Sequence, residues 1–194
     1  SHAFTLFPGG FGTLDESFEL LTLIQTGKSD LHPIVLLETE GSGYWQPVID
    51  FCRDVLIEQG LIGPEDLNLF QRLHDPEEAA DVICRFYGNY QSQRYVNGRL
   101  VLRLLEAPDP ATLAQLNRAY VDIITEGEME IIDPTPVEVR DEDSLEHARV
   151  AFWFDRRHFG RLRMLIDDLN AIVEQRISVH PPSPFDEEQA DRSW

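Results

Sequence analysis

The sequence predicts an α/β fold: half of an open, doubly wound parallel sheet, followed by a small α+β unit. Over the first 88 residues, short apolar runs alternate with longer segments of helical periodicity. This is the order of parallel strands joined by right-handed helical crossovers. Three glycines within four positions separate the first apolar run from the first helical segment. Beyond residue 88 the order becomes strand, helix, strand, strand, helix, which is typical of an α+β arrangement.

The first predicted strand covers residues 4–7, a short apolar run of the kind found in buried parallel strands. The glycines predict a tight turn over residues 8–13, because glycine accepts backbone angles that other residues avoid. A helix follows over residues 14–27, with acids in its first turn and Gly27 at its end. The remaining predicted elements of this part are a strand at 33–37, a helix at 44–59, a strand at 68–73 and a helix at 76–87 with Asp75 as N-cap.

The second part follows a polar and aromatic stretch over residues 89–97, which we expect to be a linker. Its predicted elements are a strand at 99–106, a helix at 110–125, strands at 129–132 and 149–155, and a helix at 159–175. We therefore expect a first domain over residues 1–88 and a small appended domain over residues 96–176. Prolines and acids are frequent over residues 177–194, which predicts an extended tail.

Composition restricts the partners of the protein. The formal net charge of −19 argues against nucleic acid and anionic membrane as partners, although a local pocket of backbone N–H groups can still bind a small phosphorylated ligand. No apolar run approaches the roughly 18 residues of a membrane span. Cys52 and Cys84 lie far apart and form neither a zinc pattern nor a disulfide framework, which predicts a reducing cytoplasm. The spacing of the histidines likewise predicts no metal site.

The glycine turn joins the carboxyl end of a strand to the start of a helix, where open α/β sheets bind ligands. Gly9, Gly10 and Gly12 would let a phosphate approach the backbone, and the free N–H groups at the helix start would point at it. Thr13 can add a hydroxyl donor. The alternative is a turn tightened only for packing of the strand against the helix.

Two acids follow the turn directly. Asp15 and Glu16 lie within a helical turn of the expected anion, so at least one carboxylate should face an uncharged part of the ligand. If the turn serves packing alone, both acids would serve the helix dipole instead.

The turn resembles the PGGxGTxxE motif of the Lonely Guy family. In this sequence the motif reads Pro8-Gly9-Gly10-Phe11-Gly12-Thr13-Leu14-Asp15-Glu16. The similarity continues to about residue 87, a little under half of the chain. It implies a Rossmann-like fold, a homodimer or larger assembly, and no metal or organic cofactor. The implied reaction is hydrolysis of the N-glycosidic bond of a nucleoside 5′-monophosphate to free base and ribose 5-phosphate; in plants and some microbes the base is a cytokinin. Members are often labelled lysine decarboxylases, although the motif provides no cofactor lysine.

By this resemblance, Gly9, Gly10, Gly12 and Thr13 would hold the 5′-phosphate, and Glu16 would be the catalytic carboxylate. Cleavage of a glycosidic bond passes through an oxocarbenium-like state, so a carboxylate beside the sugar can stabilise positive charge or activate water.

Two neighbouring acids have alternative roles. Glu19 lies one helical turn beyond Glu16, where it either contacts ribose hydroxyls or is a solvated helix acid. Asp15 takes the catalytic role if Glu16 points away.

The family also uses an arginine and a glycine-rich turn from an upstream segment, and this sequence contains neither. Arg53, Arg72 and Arg85 lie in elements from which they should not replace that arginine. We therefore expect that upstream sequence is missing, and that this or another segment completes the site.

Two further interpretations remain open. A nucleotide-binding or sensing protein could keep the phosphate turn without turnover, with residues 96–176 as a regulatory or oligomerising module. Alternatively, the chain is a packing domain without a ligand. The one basic cluster, which includes Arg161 and Arg163, either binds an anionic effector or pairs with surrounding acids on a helix.

Overall fold

The computed structural model describes residues 1–179 and contains two sheets. The first sheet is parallel and has the strand order β1 (Phe4–Leu6), β2 (Ile34–Leu37) and β3 (Phe70–Leu73). Its connecting helices are α1 (Phe11–Gln25) and α2 (Trp45–Phe51), and α3 (Pro76–Phe86) follows β3. The predicted α/β fold with a parallel sheet is therefore confirmed.

All four residues of β2 are buried, because helices cover both faces of the sheet. Side chains alternate between the faces of a strand, so Ile34 and Leu36 share one core with Ile24 of α1 and Trp45 of α2. Val35 and Leu37 instead pack with Leu73, Ala79 and Val82, and the last two belong to α3. Helices α1 and α2 therefore cover one face of the sheet, and α3 covers the other.

Several boundaries in this part differ from the predictions. Helix α1 begins at Phe11, three residues before the predicted start, so the turn between β1 and α1 is shorter than expected. The predicted helix over residues 44–59 is α-helical only over α2 and continues as a π-helix over Cys52–Ile57. A 3₁₀ helix over Pro64–Leu69 occupies the residues before β3. The cap of α3 is as predicted, since the Asp75 carboxylate accepts a hydrogen bond from the Glu77 N–H at 2.8 Å.

The second sheet is antiparallel, with the order β4 (Tyr90–Val96), β5 (Arg99–Leu104), β7 (Ala148–Phe154) and β6 (Ile124–Ile131). Its helices are α4 (Pro110–Ala119), α5 (Pro136–Asp141) and α6 (Phe159–Val179). Leu162, Ile166 and Leu169 of α6 belong to a core that also contains Leu102 of β5 and Ile24 of α1. A single hydrophobic cluster therefore reaches both sheets.

Three predictions for this part are wrong. Residues 89–97 are not a linker but largely strand β4, in which Tyr90 packs in the main core and Val96 packs with Val101 and Ala151 on the other face. The predicted helix over 110–125 ends at Ala119, because residues from Ile124 onward pair with β7 as β6. The predicted strand at 129–132 is only the last part of that longer strand. Helix α5 was not predicted.

Helix α6 extends beyond its predicted end at residue 175. Helix α6 continues to Val179, so the first three residues of the predicted tail over 177–194 are helical. Residues 180–194 lie outside the described part of the chain. The division into units over 1–88 and 96–176 stays a proposal, and the second sheet itself begins at Tyr90 with β4.

None of the helices within residues 1–179 is both long and apolar enough to cross a membrane.

Candidate functional site

The candidate site is the exposed turn between β1 and α1. Gly10 is the N-cap of α1 and no side chain caps the helix. The Leu14 N–H makes the first helical hydrogen bond, to the Gly10 carbonyl at 3.3 Å. The preceding amides of Phe11, Gly12 and Thr13 therefore have no acceptor within the helix. Since the helix dipole makes this end positive, the turn can receive an anion.

The three glycines of the turn have different surroundings. A Cβ on Gly9 would lie 2.1 Å from Thr13 Oγ1, so packing against Thr13 alone requires glycine there. A Cβ on Gly10 or Gly12 would meet no atom of the described chain within 4 Å. Neither of these two residues has a positive φ. Packing within residues 1–179 thus accounts for Gly9 only, and the open space over Gly10 and Gly12 leaves room for a ligand.

The backbone of Thr13, the predicted hydroxyl donor, is held by a side chain of the same helix. Thr13 is partly buried, and its carbonyl accepts a hydrogen bond of 2.5 Å from the Ser17 hydroxyl. Ser17 is buried within α1, which fixes the first turn of the helix under the glycines.

The predicted acids lie on the first turns of α1, and all three are exposed. Among residues 1–179, none offers Asp15, Glu16 or Glu19 a hydrogen bond or an ion pair. Glu16 lies about 7.5 Å along the helix axis from Phe11, at 1.5 Å per residue. Glu19 shares its side of the helix, being three residues further on. The structure therefore places Glu16 and Glu19 on one side of the helix near the amide end, with their carboxylates available.

Sequence reasoning missed a polar network beside this turn. The Tyr44 hydroxyl donates to the Gly9 carbonyl at 2.8 Å. The Tyr44 and Trp45 amides donate to Glu38 Oε2 at 2.6 and 3.3 Å. Arg72 donates to Glu38 Oε1 at 2.5 Å. These contacts join residues that follow β1 and β2 to the end of β3, so the network spans the carboxyl edge of the parallel sheet.

The Glu38 carboxylate is buried, and its pKa still lies below the ordinary value. Burial raises the pKa, but the hydrogen bonds from Arg72, Trp45 and Tyr44 outweigh that effect. The sequence offered one signal: an acid that directly follows a wholly apolar strand at the ligand-binding edge of the sheet.

Of the arginines singled out from the sequence, Arg72 belongs to the polar network beside the turn, and the other two lie outside that network. Arg53 pairs with Asp50 and Asp54, and Arg72 pairs with Glu38. Arg85 lies on α3, which covers the other face of the sheet from α1.

The basic cluster of α6 pairs with neighbouring acids. Arg161 binds Asp122 at 2.9 Å, and Arg163 binds Asp167 at 2.6 Å. These two pairs favour the predicted pairing with acids over an effector site, although Arg163 is buried rather than at the surface. Residues 1–179 also contain no group of three metal-ligating side chains.

The first part of the chain is similar to known proteins. Residues 1–83 match the family described as "Possible lysine decarboxylase". The probable cytokinin riboside 5′-monophosphate phosphoribohydrolase LOGL2 of Oryza sativa subsp. japonica is 36% identical over 83 residues, which are 43% of this chain and 32% of that protein. The cytokinin riboside 5′-monophosphate phosphoribohydrolases LOG1 and LOG3 of Arabidopsis thaliana are 42% and 41% identical over 64 residues, which are 33% of this chain and 28% of each relative.

The chain thus spans about a third or less of the length of these curated relatives. The matched segment contains the glycine turn, the acids of α1 and the polar network beside them. Over residues 1–83, which are less than half of the chain, the protein is similar to the Lonely Guy (LOG) family.

Proposed function

We propose that the protein is a nucleoside 5′-monophosphate phosphoribohydrolase, which cleaves the N-glycosidic bond to give free base and ribose 5-phosphate. The observation that carries the proposal is the exposed amide end of α1, with open space over Gly10 and Gly12 and the Glu16 carboxylate on the same helix. The names of the relatives support the substrate class, since they act on cytokinin riboside 5′-monophosphates.

In the proposed reaction, the amides at the start of α1 and the Thr13 hydroxyl hold the 5′-phosphate. As the bond between C1′ and the base nitrogen breaks, positive charge develops on the ribose ring. The Glu16 carboxylate stabilises that charge or accepts a proton from the water whose oxygen bonds to C1′. The departing nitrogen takes up the proton that the attacking water loses, and Glu19 contacts the ribose hydroxyls. No step requires a metal or an organic cofactor.

The central test is a Glu16→Gln variant of the full-length protein, assayed for free base with AMP and with a cytokinin riboside 5′-monophosphate. We expect kcat to fall by about 10²- to 10⁴-fold, the usual range for loss of a general acid or base. Affinity for ribose 5-phosphate should be retained, because Glu16 does not hold the phosphate.

Asp15→Asn is the matched variant for that test, since it removes the neighbouring carboxylate of the same helix turn. We expect it to retain most of the activity. Full hydrolysis by Glu16→Gln, together with loss of activity in Asp15→Asn, would transfer the catalytic role to Asp15.

A second candidate is a nucleotide-binding protein without turnover. The observation that favours it is the second sheet, which lies wholly outside the matched residues 1–83 and could serve regulation or assembly. The same assay decides between the two, because a sensor binds AMP without releasing adenine.

We further propose a homo-oligomer in the cytoplasm. Both cysteines are free thiols, which suits a reducing compartment. Phe7 and Phe11 flank the turn and are 59% and 92% exposed, so they are available to a second copy of the chain. Light scattering on the full-length protein measures its molar mass in solution. A monomer at all protein concentrations would contradict the proposed homo-oligomer.

A further inference from the structure

We propose that Tyr44 is a positioning residue of the phosphate site, acting through the backbone of Gly9; this inference rests on the proposed function. Tyr44 is the N-cap of α2 and lies 35 residues from Gly9 in sequence. Its hydroxyl donates to the Gly9 carbonyl at 2.8 Å. No other described side chain hydrogen bonds to the backbone of residues 8–10.

The hydrogen bond has a directional consequence. A trans peptide group is planar, and its C=O and N–H point to opposite sides. By holding the Gly9 carbonyl, Tyr44 therefore fixes the direction of the Gly10 N–H, which points away from the tyrosine. Glycine loses more conformational freedom on ordering than any other residue, so a turn with glycine at positions 9 and 10 gains most from such a constraint.

Tyr44 is itself held rigidly. Its amide donates to the buried Glu38 carboxylate at 2.6 Å, and that carboxylate is fixed by Arg72 at 2.5 Å. The second nitrogen of Arg72 donates to Gln46 at 2.5 Å, within the first turn of α2. The Tyr44 ring also packs edge-on against buried Trp45, with ring centres 4.9 Å apart. Because β2, β3 and α2 all contribute to this anchor, the hydroxyl occupies a defined place relative to the turn.

The expected effect is on affinity. A turn already held in its binding conformation loses less conformational entropy when the phosphate binds. Tyr44 contacts Gly9 on the side opposite the outward amide, so its loss should raise Kd and KM and leave kcat at saturating substrate nearly unchanged. If Tyr44 served global stability alone, its loss would lower Tm without raising KM selectively over kcat.

The test compares Tyr44→Phe with wild type in the full-length protein, by calorimetric titration of ribose 5-phosphate. We expect Kd to rise about fivefold, the factor that corresponds to one hydrogen bond of ordinary net strength. KM for AMP should rise by the same factor, kcat should stay within twofold, and Tm should change little because the ring remains packed.

Tyr87→Phe is the matched control. The Tyr87 hydroxyl also donates to a backbone carbonyl, that of His2, at 2.6 Å. His2 precedes β1, so this hydrogen bond lies at the amino edge of the sheet, opposite the glycine turn. We expect this variant to bind ribose 5-phosphate like wild type. Unchanged binding by Tyr44→Phe, or equal weakening by both variants, would overturn the proposal.

The readouts separate this inference from the proposed function. If wild type binds ribose 5-phosphate and AMP but releases no adenine, the hydrolase proposal fails, and the Kd of Tyr44→Phe still tests the role of the tyrosine. If wild type binds neither compound, no phosphate site exists and both proposals fall.

Discussion

Gly12 occupies the second position of α1, where a side chain would extend into open space. Gly9 differs, because a Cβ at that position would overlap the Thr13 side chain. Two substitutions of the same kind should therefore have different consequences. The contrast distinguishes a glycine that leaves space for a ligand from a glycine that is required for packing.

We expect Gly12→Ala to bind ribose 5-phosphate at least about tenfold more weakly, since the added methyl group occupies the space for the phosphate and one factor of ten is only about 1.4 kcal/mol. Its stability should be equal to wild type or higher by up to about 1 kcal/mol, because alanine favours the helix. Calorimetric titration and urea unfolding measure the two quantities.

Gly9→Ala serves as the comparison. It should lose both affinity and stability, because its Cβ would lie 2.1 Å from Thr13 Oγ1. Gly12→Ala with unchanged affinity would show that no phosphate approaches that residue.

At this scale, the sequence allowed the residues of the turn to be proposed as a site because they are contiguous. It could not predict Tyr44 or Glu38 as parts of the site. Tyr44 reaches Gly9 across 35 positions, and Glu38 reaches Arg72 across 34. Such pairings follow from strand order and side-chain direction, which a local pattern does not contain.

Among the secondary-structure elements, α5 shows how a short helix is fixed to a sheet by charge. Glu138 is fully buried and completes a capping box, in which it accepts hydrogen bonds from the Thr135 N–H and hydroxyl at 2.9 and 2.8 Å. It also pairs with Arg103 of β5 at 2.8 Å and with Arg149 of β7 at 3.2 Å. Burial alone would raise the pKa of Glu138, but the hydrogen bonds from Thr135 and Arg103 lower it to about 2.

Glu138→Gln should therefore destabilise the fold by roughly 3–5 kcal/mol, the usual effect of removing one partner of a buried ion pair. The stabilisation depends on pH with a definite sign. Because the folded pKa of about 2 is below the ordinary value of 4.5, the contribution is complete above pH 4.5 and is lost as the pH falls toward 2. Urea unfolding at several pH values measures it.

Asp141→Asn is the control on the same helix. It breaks the pair between Arg140 and Asp141, whose side chains are 73% and 47% exposed, and we expect little change. If Glu138→Gln were as stable as wild type at neutral pH, the network would not hold α5 to the sheet.

Element boundaries were predicted best where apolar periodicity is strong, as in β2 and α3. Strand β4 was missed because its outward residues are polar, and the run was interpreted as a linker. A local signal was present in Asn97-Gly98, which forms the two-residue turn between β4 and β5 with φ angles of 51° and 91°. Helix α4 is shorter than predicted, because the pairing of β6 with β7 overrides the helical propensity beyond Tyr120.

For the whole molecule, the α/β class with a parallel sheet followed from the order of apolar runs. The joint core of the two sheets could not be predicted in this way, since it depends on the packing of α6 with α1 and β5. The formal net charge of −19 is a property of the entire chain and should oppose compaction through self-repulsion.

Added NaCl should therefore raise Tm. At about 0.1 M the screening length is near 10 Å, so repulsion between distant surface acids is largely removed. Differential scanning calorimetry at increasing NaCl measures the effect, which we expect to be a few degrees. A Tm that falls steadily with NaCl would mean that attractive surface pairs dominate instead.

The amide end of α1 is the feature on which the proposed function depends, and a titration of ¹⁵N-labelled protein with ribose 5-phosphate tests it most directly. We expect the backbone amide resonances of Phe11, Gly12 and Thr13 to shift most, because their N–H groups have no acceptor in the helix and would bind the phosphate. Binding that leaves these three resonances in place while others move would contradict a phosphate site at this turn.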